Sequence, residues 1–216
     1  RISDPMIMAD ISDEMECQKM LIADGHHRYE TALNYSKENP DDERKGFVLA
    51  TLVAGNDDGL VIWPTHRLIR GNDISEKNAI KGISQKMTLT EVGGVQSLRT
   101  QLKDHTCGIL FKSGKCFLAD HEGEGLWNLD TYVAQELVMR GVYKSDEGKA
   151  DIAYDAEFDS AVGKVENGDY DAVLLFNDPS LKIIWDLSLA GKRMPKKTTF
   201  FFPKIWSGWV FYRMVC

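Results

Sequence analysis

Cysteine, proline and cationic excess are all scarce in this chain, and each scarcity closes off a class of protein. The four cysteines, Cys17, Cys107, Cys116 and Cys216, are scattered and form no CxxC pair. A disulfide-stapled or thiolate-metal scaffold is therefore not expected. Cys107 and Cys116 could face each other across a hairpin, but reduced thiols and a cytoplasmic protein are the expectation. Six prolines among 216 residues leave no low-complexity tract, and there is no internal repeat. No window approaches the roughly 18 uncharged apolar residues of a membrane span. No basic, apolar leader marks the chain for export. Lys and Arg number 26 against 33 Asp and Glu, a formal charge of −7. Specific duplex DNA binding, which depends on displacing counterions with cations, is not expected.

What is present is an ordinary globular balance, 43% hydrophobic and 27% charged, long enough to bury a core. Residues 1–216 read as one globular unit with weak internal boundaries near 71–75 and 145–149. The patterning predicts a helix from Pro5 to about Lys19, a short strand "MLIAD", and a helix "HHRYETALNYSKE". "FVLATLVAG" and "LVIWPTHRLIR" read as a hairpin joined by "NDDG", with Pro64 forcing an edge or bulge. Further along, "CGILFK" and "CFLAD" form a second hairpin. "LDTYVAQELVMR" is amphipathic, with Leu129, Val133 and Leu137 inward. Strands "DIAYD" and "AVLLFN" flank a helix, and "DPSLKIIWDLSLAGK" is a helix capped by Asp178. "TTFFF" and "GWVFYRMV" close the chain as strands. The class is α/β or α+β, with a mixed sheet, hairpins and flanking helices.

The stretch "MLIADGHHRYETAL" carries the most chemistry. A helix starting at Gly25 or His26 leaves its first-turn amides without helical partners at the positive end of the dipole. His26, His27 and Arg28 add donors there, and Gly25 permits close approach to the backbone. Three readings compete. A phosphate or other anion could sit at the helix mouth, with Asp24 and His26 as candidate acid–base residues or Asp24 as a contact to Mg²⁺. His26 and Glu30, four residues apart, could share a metal ion, giving a metal-dependent hydrolase. Or Asp24 simply caps the helix beside exposed histidines. Two further clusters, "WPTHRLIR" with His66 and Arg67 and "MPKKTTFFFPK" with Lys196, Lys197 and Thr198, combine charge and hydroxyls at strand ends. Each alone reads as a solvated strand end; all three together would form the rim of a ligand site. His105 and His121 have no motif around them.

These three clusters, in this order, resemble the prokaryotic family catalogued as domain of unknown function 1015. Against that family the chain would be the C-terminal portion of a longer protein, whose missing N-terminal strand and loop would complete the site. Lys196 and Thr198 stand where the family pattern usually has Gln and Ser. More distantly, "DGHHRYETA" is similar to the phosphate-binding box of the ParB/sulfiredoxin-like superfamily, which includes partition proteins, sulfiredoxins and free-serine kinases. That resemblance implies phosphate contacts from Gly25, His26, His27 and Arg28. The combined expectation is a protein that binds a nucleotide or small-molecule anion, with Mg²⁺ accompanying the nucleotide, as a small-molecule phosphotransferase. A nucleotide-sensing module without turnover is the alternative.

Overall fold

A computed structural model describes residues 2–71, 73–206 and 208–213. The chain divides into two compact units, Arg1–Leu52 with Trp206–Cys216, and Val53–Ile205.

The first unit is helical. Asp4 caps α1 (Pro5–Glu16) by accepting the Met6 and Ile7 amides on Oδ1, and Pro5 takes the first position, where no amide is needed. Helix α2 runs from His26 to Glu38. The Tyr212 hydroxyl donates to the Arg44 carbonyl at 2.8 Å, tying residues 208–213 to this unit. No residue of α1 or α2 is buried, and Met6, Ile7, Met8 and Ile11 are exposed.

Three expected strands are absent here. Leu21–Asp24 and the run from Phe47 to Gly55 join no ladder, and neither do residues 208–213; Met214 and Val215 lie outside the described residues. The "NDDG" turn is present, with the Gly59 amide on Asp57 Oδ1 and the Leu60 amide on the Asp57 carbonyl, but no hairpin surrounds it. A strand requires a partner for its amides and carbonyls, whatever its composition. β1 (Val61–Trp63) pairs instead with the distant β8 (Phe200–Phe202). Phe47, Leu49 and Leu52 are left exposed.

The second unit holds the core. Its six-stranded sheet has the order β3-β5-β4-β7-β2-β6, built from Thr88–Val92, Cys116–Asp120, Cys107–Phe111, Ala172–Leu175, His66–Gly71 and Ala150–Asp155. Every pairing among the described residues is antiparallel, which places the chain on the α+β side of the expected class. The expected β4–β5 hairpin is present, but its register pairs Cys107 with Ala119 and Leu110 with Cys116. The two thiols therefore do not face each other, and both are free.

Alternate residues of the central strands supply two cores. Ile69, Ile109, Phe111 and Leu174 pack on one face, beneath α3 (Glu76–Ser84) and the helix beginning at α5 (Asp130–Val133). Leu68, Leu110, Val173 and Leu175 pack on the other, beneath α4 (Val95–Gln101) and α6 (Phe158–Glu166). Gly108 lets α4 approach the sheet: a Cβ there would lie 3.0 Å from the Leu98 side chain. After Val133 the helix widens into a π-helix, Ala134–Arg140. The extra residue per turn moves the inward positions from Leu137, which is half-buried, to Val138 and Met139. Helix α7 (Leu181–Leu189) begins two residues later than Asp178 would place it, with Ser180 at the cap position.

Pro64 marks a change of sheet. The strand before it belongs to the two-stranded ladder and the strand after it to the six-stranded sheet. A residue with no amide to donate suits this crossing, because neither ladder can use it.

Candidate functional site

Within the first unit the structure places Asp24 to Arg28 as a tight turn into α2. Gly25 occupies the cap position with φ 85° and ψ 26°, a left-handed conformation that favours glycine. The Arg28 guanidinium folds back over it: a Cβ on Gly25 would lie 2.9 Å from Arg28 Nη2. Arg28 Nη2 also lies 3.4 Å from Asp24 Oδ2, so Asp24 engages this arginine, and Gly25 holds the cap position. Tyr29 is the first residue whose amide reaches a helical carbonyl, that of Gly25 at 3.0 Å. The amides of His26, His27 and Arg28 precede it and point out of the helix mouth. His26 and His27 are exposed, and His27 Nδ1 lies 3.4 Å from Glu30 Oε2. Among the described residues no group of three or more His, Cys, Asp or Glu side chains is arranged to hold an ion.

Within the second unit the other two clusters come together, though not as exposed rim residues. His66 and Arg67 are 2% and 1% exposed. As neighbours on β2 they project to opposite faces of the sheet. His66 Nδ1 accepts the Phe176 amide at 3.2 Å, and its ring meets Phe158 edge-on. Burial lowers its pKa to about 4, so the ring is neutral and Nε2 carries its proton. Arg67 lies against the rings of Tyr154 and Phe176. Its guanidinium donates to the carbonyls of Thr65, Lys196 (3.4 Å) and Lys197 (3.0 Å), while Nε has no partner. Burial lowers its pKa to about 10, still well above neutrality.

The sequence set both clusters on the rim of a ligand site around the Asp24–Arg28 turn; the structure joins these two clusters to each other through Arg67. His66 and Arg67 are sealed away from solvent, and Arg67 acts as a clasp on the 196–198 turn. That turn presents Lys196 and Lys197 outward, with Lys197 held at φ 59°. Thr198 is buried: its hydroxyl donates to the Pro195 carbonyl at 2.8 Å and lies 3.2 Å from Thr131 Oγ1.

Thr198 lines a cavity of about 360 Å³ that no sequence motif announced. The cavity lies beyond the end of β7, between Phe176–Ser180, the start of α5 and the segment Lys103–Thr106. Its volume falls within the range of small-molecule sites. Burial raises the Asp130 carboxyl in its wall to about 7. His105, also in the wall, is held by Asp120 through a 2.8 Å contact at Nδ1. Asn177 Nδ2 donates to the carbonyls of Leu102 and His105 at 3.0 and 3.1 Å, fixing the backbone beneath that ring. The available sequence signals were an acid opening a helix directly after an inward leucine, and polar residues ending the buried strand "AVLLF". Neither has a fixed spacing to search for.

The family described as "Protein of unknown function (DUF1015)" matches residues 1–139, and the chain belongs to it. The matched span contains the Asp24–Arg28 turn, Pro64–Arg67 and Asp130; Met194–Lys204 lies beyond it. No curated protein is significantly similar in sequence. Among solved structures, a free serine kinase mutant in complex with AMP is similar with a TM-score of 0.56 and 15% identity, over 93% of this chain and 81% of that one. A mutant of the same description in complex with ADP gives 0.54 and 16%, over 91% and 78%. A conserved hypothetical protein from Pyrococcus furiosus gives 0.52 and 16%, over 83% and 68%. These likenesses show a shared fold. No helix among the described residues is long and apolar enough to cross a membrane.

Proposed function

We propose that this chain binds a nucleotide or phosphate ester and acts as a small-molecule phosphotransferase. The observation that carries the reading is the turn into α2. A left-handed Gly25 brings the chain into the helix so that three consecutive amides, two imidazoles and Arg28 surround one end of it. Such an end attracts anions through both hydrogen bonds and the helix dipole. The fold likeness to kinase structures that hold AMP and ADP supports the same reading.

Gly25, His26, His27 and Arg28 hold the phosphate chain in this proposal. Asp24 fixes Arg28 by their ion pair, and is better placed for that than as the general base. Lys196 and Lys197 are exposed cations of the second unit, on the turn that Arg67 clasps, and are candidate anion contacts of that unit. Arg67 contributes by shaping their turn, and His66 by packing. A single carboxylate with bound water would suffice for Mg²⁺ arriving on the phosphates, because this ion keeps most of its hydration shell.

A thermal-shift series with AMP, ADP and ATP, with and without Mg²⁺, tests binding, since a ligand of the native state raises stability by mass action. A clear shift with at least one nucleotide is expected, together with transfer of phosphate from it. A shift without turnover would favour the sensing module. No shift with any nucleotide at millimolar concentration would overturn the proposal.

A further inference from the structure

Side chains lining the 360 Å³ cavity of the second unit are left with hydrogen-bond acceptors to offer. Thr198 spends its one hydroxyl proton on the Pro195 carbonyl, so Thr131 is the donor across their 3.2 Å contact. Thr131 Oγ1 then keeps only lone pairs. Asn177 Nδ2 gives its protons to the carbonyls of Leu102 and His105, leaving Oδ1, an acceptor. Asp120 Oδ2 lies 2.8 Å from His105 Nδ1, and an ionised carboxylate can only accept. The neutral ring therefore carries its proton on Nδ1 and a lone pair on Nε2.

Asp130 is the strongest of these acceptors. Among the described residues its carboxylate accepts no hydrogen bond and meets no cation, and burial raises its pKa to about 7. A half-buried carboxylate without a partner gains most from a ligand that brings a positive charge. Asp104 and Asp178 share the lining with a single lysine, Lys103, so the surrounding field has the same sign. These carboxylates do not form a metal shell, since no described group of three or more His, Cys, Asp or Glu is arranged to hold an ion. Leu129, Phe176 and Ile183 add an apolar wall.

We propose that this cavity binds a small aliphatic amine that carries a hydroxyl group and no carboxylate or phosphate. Its ammonium pairs with Asp130, its hydroxyl donates to His105 Nε2, and its carbon chain lies against the apolar wall. An acidic group on the ligand is rejected, because it would set acceptors against acceptors and negative charge against carboxylates. Every residue involved belongs to Val53–Ile205, so the site stands without the Gly25 turn and the reading built on it.

Three probes of one skeleton test this on the full chain: 5-amino-1-pentanol, neutral 1,5-pentanediol and anionic 5-hydroxypentanoate. Titrations at about pH 8, where Asp130 is mostly ionised, are followed by ¹H–¹⁵N NMR. The amino alcohol is expected to give saturable shifts of the Thr106, Thr131 and Asn177 amides. The diol should bind about 10-fold or more weakly by comparison, and hydroxypentanoate should not bind. Asp130→Asn keeps the side chain's shape and should bring the amino alcohol level with the diol, with thermal unfolding showing that the variant is folded. His105→Ala should weaken the amino alcohol and leave pentylamine binding unchanged, which separates a lost hydroxyl contact from a disturbed cavity. Equal binding of amino alcohol and diol, preference for hydroxypentanoate, or unaltered amino alcohol binding in Asp130→Asn overturns the proposal. So does the absence of saturable shifts at tens of millimolar, the weakest affinity expected for a ligand of this size. None of these readouts involves a nucleotide, so the phosphotransfer reading stands or falls separately.

Discussion

The dipeptide His-Arg occurs twice, at 27–28 and at 66–67, and its two copies meet opposite fates. His27 and Arg28 open a helix, stand in solvent and have carboxylate neighbours at 3.4 Å. His66 and Arg67 lie in the middle of a sheet, almost wholly buried, with main-chain groups as partners. Residue type alone does not decide whether a cation recognises a ligand or holds the fold. What decides is whether its unit has a core around it. The second unit has two, one on each face of its sheet, whereas no residue of either helix in the first is buried.

The largest expected effect falls on Arg67. Replacement by Ala leaves the carbonyls of Thr65, Lys196 and Lys197 without their donor in a buried setting. A loss of about 3 kcal/mol or more in urea unfolding is expected from the unsatisfied acceptors. A loss below about 1 kcal/mol would show that water replaces the guanidinium, and would remove the distinction between the two arginines.

Next is His66. Its folded pKa of about 4 lies below its ordinary value of 6.5. The unfolded chain therefore binds more protons between these pH values, and stability rises with pH across that window. The contribution is complete above pH 6.5 and is lost as pH falls toward 4, amounting to roughly 2–3 kcal/mol. Stability curves of the parent and His66→Gln between about pH 4 and 8 should converge toward the acid end. Parallel curves would contradict a buried neutral ring.

Asp130 has the opposite sign. Its folded pKa of about 7 lies above the usual carboxylate value of 3.8. The folded chain holds the extra proton, so stability is complete below pH 3.8 and declines as pH rises through 7. Asp130→Asn should match the parent in acid and exceed it at about pH 8 by on the order of 1–3 kcal/mol, after allowance for partial exposure. Equal stability at both ends would place Asp130 in solvent.

Arg28→Ala completes the comparison with the smallest effect on the fold, within about 0.5 kcal/mol. Its expected cost is in anion binding, about 1.5–3 kcal/mol for a charged hydrogen bond. Isothermal titration with ADP would measure it, and unchanged affinity would remove Arg28 from the phosphate contacts.

Much of this architecture could be read from local pattern. The β4–β5 hairpin, the capped α1 and the helix between β6 and β7 follow from alternation, a proline after aspartate and amphipathic period. The runs at 20–24 and 47–55 have the composition of strands, yet strand formation depends on a partner, and the strand after the "NDDG" turn pairs with Phe200–Phe202. The π-helix is equally hidden, since Leu137 lies where a 3.6-residue period puts it and only the wider turn brings Val138 and Met139 inward. At the candidate site the pattern identified the Gly25 turn and set the "PTHR" and "MPKKTT" segments on a ligand rim, whereas the structure joins those two segments through Arg67. The pattern could not reveal that His66 and Arg67 are interior, because burial on β2 is set by β6 and β7, strands far along the chain. His105, Asp120 and Asp130 escaped notice because they are assembled by a hairpin and a helix start, without any local motif.

The change of sheet at Pro64 implies that the fold should open in stages. The β1–β8 ladder joins three residues on each side, while the six-stranded sheet is continuous through β2. Native-state hydrogen exchange should therefore separate two cooperative blocks, with Val61–Trp63 and Phe200–Phe202 exchanging at low opening energy and Leu68–Ile69 and Val173–Leu174 only near global unfolding. In that ordering the Arg67 clasp spans the boundary, anchored in the slow block and gripping the carbonyls that lead into the fast one.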